Sequence, residues 1–427
     1  MDDGDSQFDP SSFDISQIFS MMFGQSHGPV NWDGARAAAN QLSLHDPDDG
    51  TPRPDPPVDE SRAEYVAAIV RAAQSNVAAV TGLSEAVAVP VQSVTRLGWT
   101  SVTLDGLRPV LEALATRIAS TFGSASMQQP DLDDEMLQSL GVEDPEMVAQ
   151  MLSSVMAMML PQLFGSLAGS LAGHLAHHAL GQYDLPLPIA AAPQLAFVIS
   201  NMEQFASDWE VPFDELTFAL AARESVHSAQ RSVPWVRERL VRLCTEYVAG
   251  FEMRVEAFEE QLPDDFDIDQ FGEDGDVNPM EMIAKMQSGE LQPFNIDPAQ
   301  LLRGMQTEAQ QPILAELQRF SALLGAHADV VVAAITPQPT ANNQRIGEAL
   351  KRHRVERGSA ASFVDLMLGL QLERSHYEAG AAFCAGVVDR AGIEGLNRLW
   401  EREAHMPTAS EFTAPGLWLA RLELDLD

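Results

Sequence analysis

The sequence is poor in cysteine and lacks the glycine-rich and serine motifs of several enzyme classes. Its two cysteines, Cys244 and Cys384, are far apart and have no CxxC or Cys/His ligand spacing. This argues against a disulfide framework or a thiolate zinc site and predicts two reduced core thiols. No nucleotide-binding loop, dinucleotide fingerprint or GxSxG elbow occurs, so enzymes of those classes are not indicated.

Basic residues are also scarce, with 26 Lys and Arg against 62 Asp and Glu and a formal net charge of -36. Such a charge repels phosphate backbones and anionic lipid headgroups, so we expect no nucleic-acid partner. The N-terminal sequence MDDGDSQFDPSSFD lacks the basic and apolar regions of a signal peptide. We therefore expect a soluble, cytoplasmic protein.

Charge of either sign is missing from Met147 to Leu180, a stretch long enough to cross a bilayer. Within it, Gly165, Gly169 and Gly173 have the small-xxx-small spacing of close helix packing. An internal proline, several serines and histidines, and flanks without clustered Lys or Arg favour a buried helix. A membrane span is the less favoured alternative.

The pattern along the chain predicts a mainly α fold, with an acidic, largely disordered tail over 1–60 and one large helical domain over 61–427. The tail contains two short helix candidates, FDISQIFSMMFG and GPVNWDGARAAANQL, and Trp32 would anchor the second on the body. In the helical domain, the LAFVIS run predicts at most a small β element. A helix that begins at Pro212 and Asp214 follows it. An acidic loop is expected near 263–278.

The helix that is predicted to begin at Pro212 carries the string Arg223-Glu224-Ser225-Val226-His227. In zinc peptidases, H-E-x-x-H on a helix places two histidines one turn apart to bind the metal, and the glutamate activates water. By itself R-E-x-x-H is a weak signal, and a solvated, salt-bridged helix face is its ordinary interpretation.

Several blocks together resemble a family of actinobacterial zincin-like proteins that are named as hydrolases or zinc-dependent metalloproteases. These blocks are GPVNWDGAR, GQYDLPLP, the ARESVH helix with VPWVRERL, and GEALKRHRVERGSAASFVDLMLGLQLERSHYEAG. One branch of that family has H-E-x-x-H in the helix, and this sequence resembles the other branch, which has arginine first. The resemblance covers the chain from about Gly28 to the C-terminus and implies a zincin-like scaffold.

The resemblance implies a role for each residue of the motif. His227 matches the second histidine ligand of a zinc ion, and Glu224 matches the general base. Arg223 stands at the first ligand position, where its protonated guanidinium has no lone pair to give a metal. In LLGAHADVV, which aligns with the later helix that supplies the third ligand, His327 and Asp329 are the remaining candidates.

Two further groups of polar residues have simpler interpretations. His174, His177 and His178 lie at i, i+3 and i+4, a spacing that suits a metal, but spare histidines at a helix end are the ordinary explanation. In VPWVRER, we expect Trp235, Arg237 and Arg239 to cap and pack the next helix rather than bind substrate. An alternative for the motif is charge compensation, with Arg223 paired to Glu224 or Asp329 in place of zinc.

Two functions are thus open. The first is a zinc-dependent hydrolase of peptides, with Glu224 as base and His227 as a ligand. The second is a non-catalytic pseudoenzyme that keeps the scaffold in order to bind a peptide or protein. The missing first ligand is a direct chemical deficit, so we favour a catalytically impaired zincin.

Overall fold

The computed structural model describes residues 28–46, 50–83, 89–125, 145–183, 194–252, 303–336, 341–355, 369 and 372–424. For 121–125, 145–159 and 354–355 it describes the helical backbone alone. The short helix predicted in FDISQIFSMMFG and the acidic loop near 263–278 lie outside these residues. The proposed division of the chain at residue 60 stays a prediction.

Helices form most of the described structure, which confirms the predicted mainly α class. The α-helices are α1 (Trp32–Ser43), α2 (Glu60–Thr81), α3 (Arg96–Ala125), α4 (Pro145–Leu175), α5 (Ile199–Asp208), α6 (Phe213–Ser232), α7 (Pro234–Ala249), α8 (Gln311–Ile335), α9 (Ala341–Val355), α10 (Arg374–Asn397), α11 (Ala409–Thr413) and α12 (Pro415–Leu424). Single turns of 3₁₀-helix cover Glu308–Gln310, Arg398–Trp400 and Glu403–His405.

Two short strands form the sheet seen in the described residues. β1 (Val91–Val94) and β2 (Leu195–Val198) pair in parallel, with Val91 opposite Leu195 and Val94 opposite Val198. β2 is the strand that LAFVIS predicts, and every residue in it is buried. β1 reads VQSV, a short and half-polar segment, and the sequence analysis did not identify it.

Helix α1 shows how local sequence positions an element on the body. Asn31 accepts a hydrogen bond from the backbone N–H of Gly34 and so caps the helix. Trp32 is buried, and its indole nitrogen donates to Glu112 on α3 at 2.9 Å. The predicted docking of this segment through Trp32 is confirmed.

Helix α4, which is uncharged from Met147 onward, packs side by side with α1, as the glycine spacing indicates. A Cβ on Gly165 would lie 2.3 Å from the carbonyl oxygen of Asn31, and one on Gly169 would lie 2.1 Å from that of Ala35. The two helix backbones therefore touch where the glycines lie. Among the described helices, none combines the length and the apolarity that a bilayer crossing requires.

The core surrounds α6, which packs against α2, α5, α7, α8, α9 and β2. Pro212 occupies the N-cap position of α6 and Asp214 lies in its first turn, as predicted. Cys244 and Cys384 are buried free thiols, also as predicted, and burial raises the pKa of Cys384 to about 12. The helix with the R-E-x-x-H string is thus an interior element of the molecule.

Candidate functional site

Polar residues are concentrated on the C-terminal half of α6, although this part of the helix is buried on all sides. From Leu220 to Arg231 every residue is buried. The polar members of this run are Arg223, Glu224, Ser225, His227, Ser228, Gln230 and Arg231. Burying polar groups is costly unless each finds a partner. The solvated-face interpretation of the motif is therefore wrong, and this helix is the candidate site.

Arg223 forms an ion pair with Asp329 across the gap between α6 and α8. Its side chain is 9% exposed, whereas that of Asp329 is 50% exposed, and Nη1 of the arginine donates to Oδ1 of the aspartate. Gly325, one turn before Asp329, lies beside the guanidinium, and a Cβ there would make an ordinary contact with Nη2 at 3.7 Å. The predicted pairing of Arg223 with Asp329 is present at the first-ligand position.

Glu224 is fully buried and faces the segment that follows α4. Its Oε2 accepts a hydrogen bond from the backbone N–H of Tyr183 at 2.7 Å. A Cβ on Gly181 would lie 2.7 Å from the carboxyl carbon of Glu224, so only glycine leaves space for this carboxylate. These contacts hold the candidate base in one orientation.

Arg231 is a second buried cation near Glu224, and no motif in the sequence marks it. Its guanidinium lies 4.5 Å above the ring centre of Tyr183 and donates to the carbonyl of His227 at 3.3 Å. Burial lowers the pKa of Arg231, while the charges of Tyr183 and Glu224 oppose that shift. Two arginines thus lie along the same helix as the candidate base.

His227 lies one turn after Arg223 and is oriented by Gln230. The Gln230 side-chain nitrogen donates to the carbonyl of Leu324 at 3.0 Å, which turns its oxygen toward Nδ1 of His227, also at 3.0 Å. This arrangement assigns the ring proton to Nδ1. A hydrogen bond that orients one ring nitrogen is typical of metal-ligating histidines, so His227 keeps a ligand-like setting.

His327 lies on the opposite side of α8 from Asp329 and belongs to a separate buried network. Its ring nitrogens lie 3.0 Å from the Gln230 side-chain nitrogen, 3.1 Å from Oδ1 of Asn397 and 2.9 Å from the indole nitrogen of Trp400. Burial lowers its pKa to about 4, so the ring is neutral near pH 7. His327 is a core residue with both ring nitrogens in protein contacts.

The donor set does not fit a catalytic zinc ion. Such a site needs three protein ligands and an open position for water. Here His227 and Asp329 are the remaining candidate ligands, and Arg223 occupies the first position and pairs with Asp329. Among the residues the structure describes, no group of three or more His, Cys, Asp or Glu is arranged to hold a metal.

The histidine cluster at the end of α4 follows its simpler interpretation. His177 is buried, and its Nε2 lies 2.9 Å from the carbonyl oxygen of Leu42. Its Nδ1 lies 3.5 Å from Nη1 of Arg53, and burial lowers its pKa. His178 is exposed. These side chains therefore have different surroundings and do not converge on one point.

Two residues of VPWVRER, Trp235 and Arg239, have the packing contacts expected for this segment. Trp235 stacks on Trp400, with ring centres 6.2 Å apart, and its indole nitrogen donates to the Trp400 carbonyl at 3.2 Å. Arg239 pairs with Glu316 on α8 and, at 2.5 Å, with Glu403. These residues join α7 to α8 and to the C-terminal turns.

Comparison with known proteins agrees with this architecture. A crystal structure of a candidate hydrolase with a novel fold from Chloroflexus aurantiacus is similar to this chain with a TM-score of 0.53. The similarity covers 92% of this chain and 99% of that one at 21% identity, which supports a shared fold. No curated protein matches the chain. A family model matches residues 30–419, and the chain therefore belongs to the zincin-like metallopeptidase family.

Proposed function

We propose that this chain is a zincin scaffold in which the Arg223–Asp329 ion pair replaces the catalytic zinc, and that it binds a peptide or protein instead of hydrolysing one. The supporting observation is the buried guanidinium between α6 and α8, in contact with Asp329. A fixed positive charge there repels a divalent cation, and the repulsion is strong where water is largely excluded. The proposal agrees with the resemblance of this sequence to the branch that has arginine first.

The surroundings of Glu224 support the same proposal. Its carboxylate lies against Gly181 and accepts a hydrogen bond from the Tyr183 backbone. The charge of Arg231 also acts on it. A general base in a zincin acts on water that the metal activates. Without a fitting donor set, Glu224 has the role of a buried structural anion that anchors residues 181–183 to α6.

The alternative is a zinc-dependent hydrolase with Glu224 as base and His227 as a ligand. It is favoured by one observation, the ligand-like orientation of His227 through Gln230. This alternative requires an unexpected ligand in addition to His227 and Asp329. It also requires the guanidinium of Arg223 to leave the gap.

Metal content distinguishes the two functions. We expect wild-type protein, purified without tag or chelator, to contain far less than one zinc per chain by mass spectrometry. Arg223→His restores a set of two histidines and one aspartate, so this variant should gain close to one zinc per chain. Adding His227→Ala to Arg223→His should abolish that gain.

The matched control is His178→Ala in the Arg223→His background, because His178 is exposed and remote from α6 in sequence. This control should leave the gained zinc unchanged. The proposal would be refuted if the wild type contained close to one zinc per chain and His227→Ala lost it. That result would support the zinc-dependent hydrolase instead.

A further inference from the structure

A cavity of about 330 Å³ lies between α7, α8 and the segment that leads into α11. Its volume falls in the range of small-molecule pockets. Its lining comprises Arg239, Glu316, Arg319, Met406, Pro407, Thr408, Ala409 and Phe412. None of these residues belongs to the candidate site on α6.

Arg239 is a rigid part of the cavity wall. Its side chain is 14% exposed, and its two terminal nitrogens pair with Glu316 and Glu403. Its Nε is buried and has no hydrogen-bond partner among the described residues. Because this atom is out of contact with solvent, a bound molecule does not reach it, and Arg239 contributes a fixed part of the wall rather than a free donor.

Arg319 supplies a positive charge that no described residue neutralises. It is half-buried on α8, and its side chain makes no hydrogen bond or ion pair with any residue in the described part of the chain. In a protein with a net charge of -36, carboxylates are abundant, and arginines such as Arg239 and Arg421 have them as partners. Arg239 is already paired with Glu316 and Glu403, so Arg319 is the cation of the lining that suits a single negative charge.

The opposite wall is apolar and firmly packed. Phe412 is 7% exposed and stacks on Phe383, with ring centres 5.3 Å apart. Thr408 begins α11 with a capping box to Glu411, which fixes the turn that carries Pro407. A bound molecule therefore meets hydrocarbon on one side and guanidinium groups on the other.

We propose that this cavity binds a monocarboxylate with an apolar body. Its carboxylate faces Arg319, and its hydrocarbon part packs against Pro407 and Phe412. Arginine is the side chain best matched to a carboxylate, because its donors form a planar fork. The same chemistry is present in a free aromatic or branched aliphatic acid and in the C-terminal residue of a peptide.

Calorimetric titration of the full-length protein tests the charge requirement. The probes are phenylacetate and its neutral isostere phenylacetamide. We expect phenylacetate to bind with a Kd on the order of 1 mM or below and the amide at least about tenfold more weakly. Arg319→Gln should weaken phenylacetate binding about tenfold. Arg237→Gln, a half-buried arginine on α7 outside the cavity lining, is the matched control and should bind like wild type.

A steric variant tests the location separately from the charge. Ala409 is exposed at the cavity lining, so Ala409→Trp should fill the cavity and abolish binding while both arginines remain. Circular dichroism melts of both variants verify that they are folded. N-acetyl-Gly-Phe with a free carboxylate, compared with its amide, shows whether the source is a peptide C-terminus. Preference for phenylacetate instead indicates a free acid.

Three results would overturn the proposal. These are equal binding of acid and amide, wild-type affinity in folded Arg319→Gln, or no binding of either carboxylate at about 10 mM. Each of them leaves the zinc measurements on Arg223 unaffected, because the two sites share no residue.

Discussion

Arg223 and Glu224 are neighbours on α6 but contact different walls of the site. Consecutive helix residues point about 100° apart, so Arg223 faces Asp329 on α8 while Glu224 faces Gly181 and Tyr183. A substitution of Arg223 therefore alters the wall formed by α8 and leaves the contacts of Glu224 in place. This separation makes Arg223→His a direct test of the metal-ligand position.

His327 allows a prediction about the pH dependence of stability. It is fully buried, and its pKa of about 4 lies below the value of 6.5 that it has when unfolded. Between those two values the unfolded chain binds more protons, so the free energy of unfolding falls as the pH is lowered through this window. In His327→Gln, the free energy of unfolding should therefore fall by up to about 3 kcal/mol less than in the wild type over this window. Urea unfolding at pH 7 and at about pH 4.5 measures this difference.

His178→Gln is the control for this measurement, because His178 is exposed. Its pH dependence should equal that of the wild type. The wild type and His327→Gln both retain His177, whose pKa is also lowered by burial, so the contribution of His177 cancels when the two are compared. Identical slopes for wild type and His327→Gln would show that His327 is not the group responsible.

The site residues that share one short motif could be predicted from the sequence, but the residues that contact them could not. Arg223, Glu224 and His227 follow from helical spacing, and Asp329 follows from the family resemblance. Tyr183 and Arg231 were missed, since their importance depends on contacts between α6 and the end of α4 that no local pattern encodes. His327 was placed among the candidate ligands, although its ring belongs to the network of Gln230 and Trp400.

Helices and strands could be predicted where a single local sequence pattern determines where they form. Pro212 begins α6 and LAFVIS forms β2. β1 was not predictable, because a four-residue strand with Gln92 and Ser93 has no distinctive pattern and is defined by its pairing with β2. For α4, composition left a buried helix and a membrane span open, and its packing against α1 accounts for the glycines.

The contact between α1 and α4 predicts opposite effects for the same substitution at two helical glycines. In Gly169→Ala the new methyl group would overlap the carbonyl of Ala35, so the free energy of unfolding should fall by about 1–3 kcal/mol. In Gly347→Ala on α9 the added Cβ meets nothing within 4 Å. There the higher helix propensity of alanine should raise the free energy of unfolding by up to about 1 kcal/mol.

Urea unfolding of wild type and the two variants measures both effects. Equal stability of Gly169→Ala and the wild type would show that α1 can move away from α4 without cost. A loss in Gly347→Ala would show that the position is not open to solvent.

Across the whole molecule, acidic residues exceed their basic partners, so ion pairs leave much of the negative charge uncompensated. The described pairs include exposed helix-surface contacts such as Arg374 with Glu378 and Arg352 with Glu348. Pairs of this kind contribute little to stability and are weakened by salt. A net charge of -36, by contrast, opposes the compact state through repulsion over the whole surface.

The balance of these two terms predicts how salt affects thermal unfolding. Screening should relieve the net repulsion more than it weakens the surface pairs, so the Tm should rise when NaCl is raised from low to physiological ionic strength. Each 1 kcal/mol of relieved repulsion corresponds to a Tm increase of about 1 °C for a chain of this size. The increase should be smaller at pH 5 than at pH 8, because protonated carboxylates reduce the negative charge. A Tm that falls with salt at pH 8 would mean that the ion pairs outweigh the net charge.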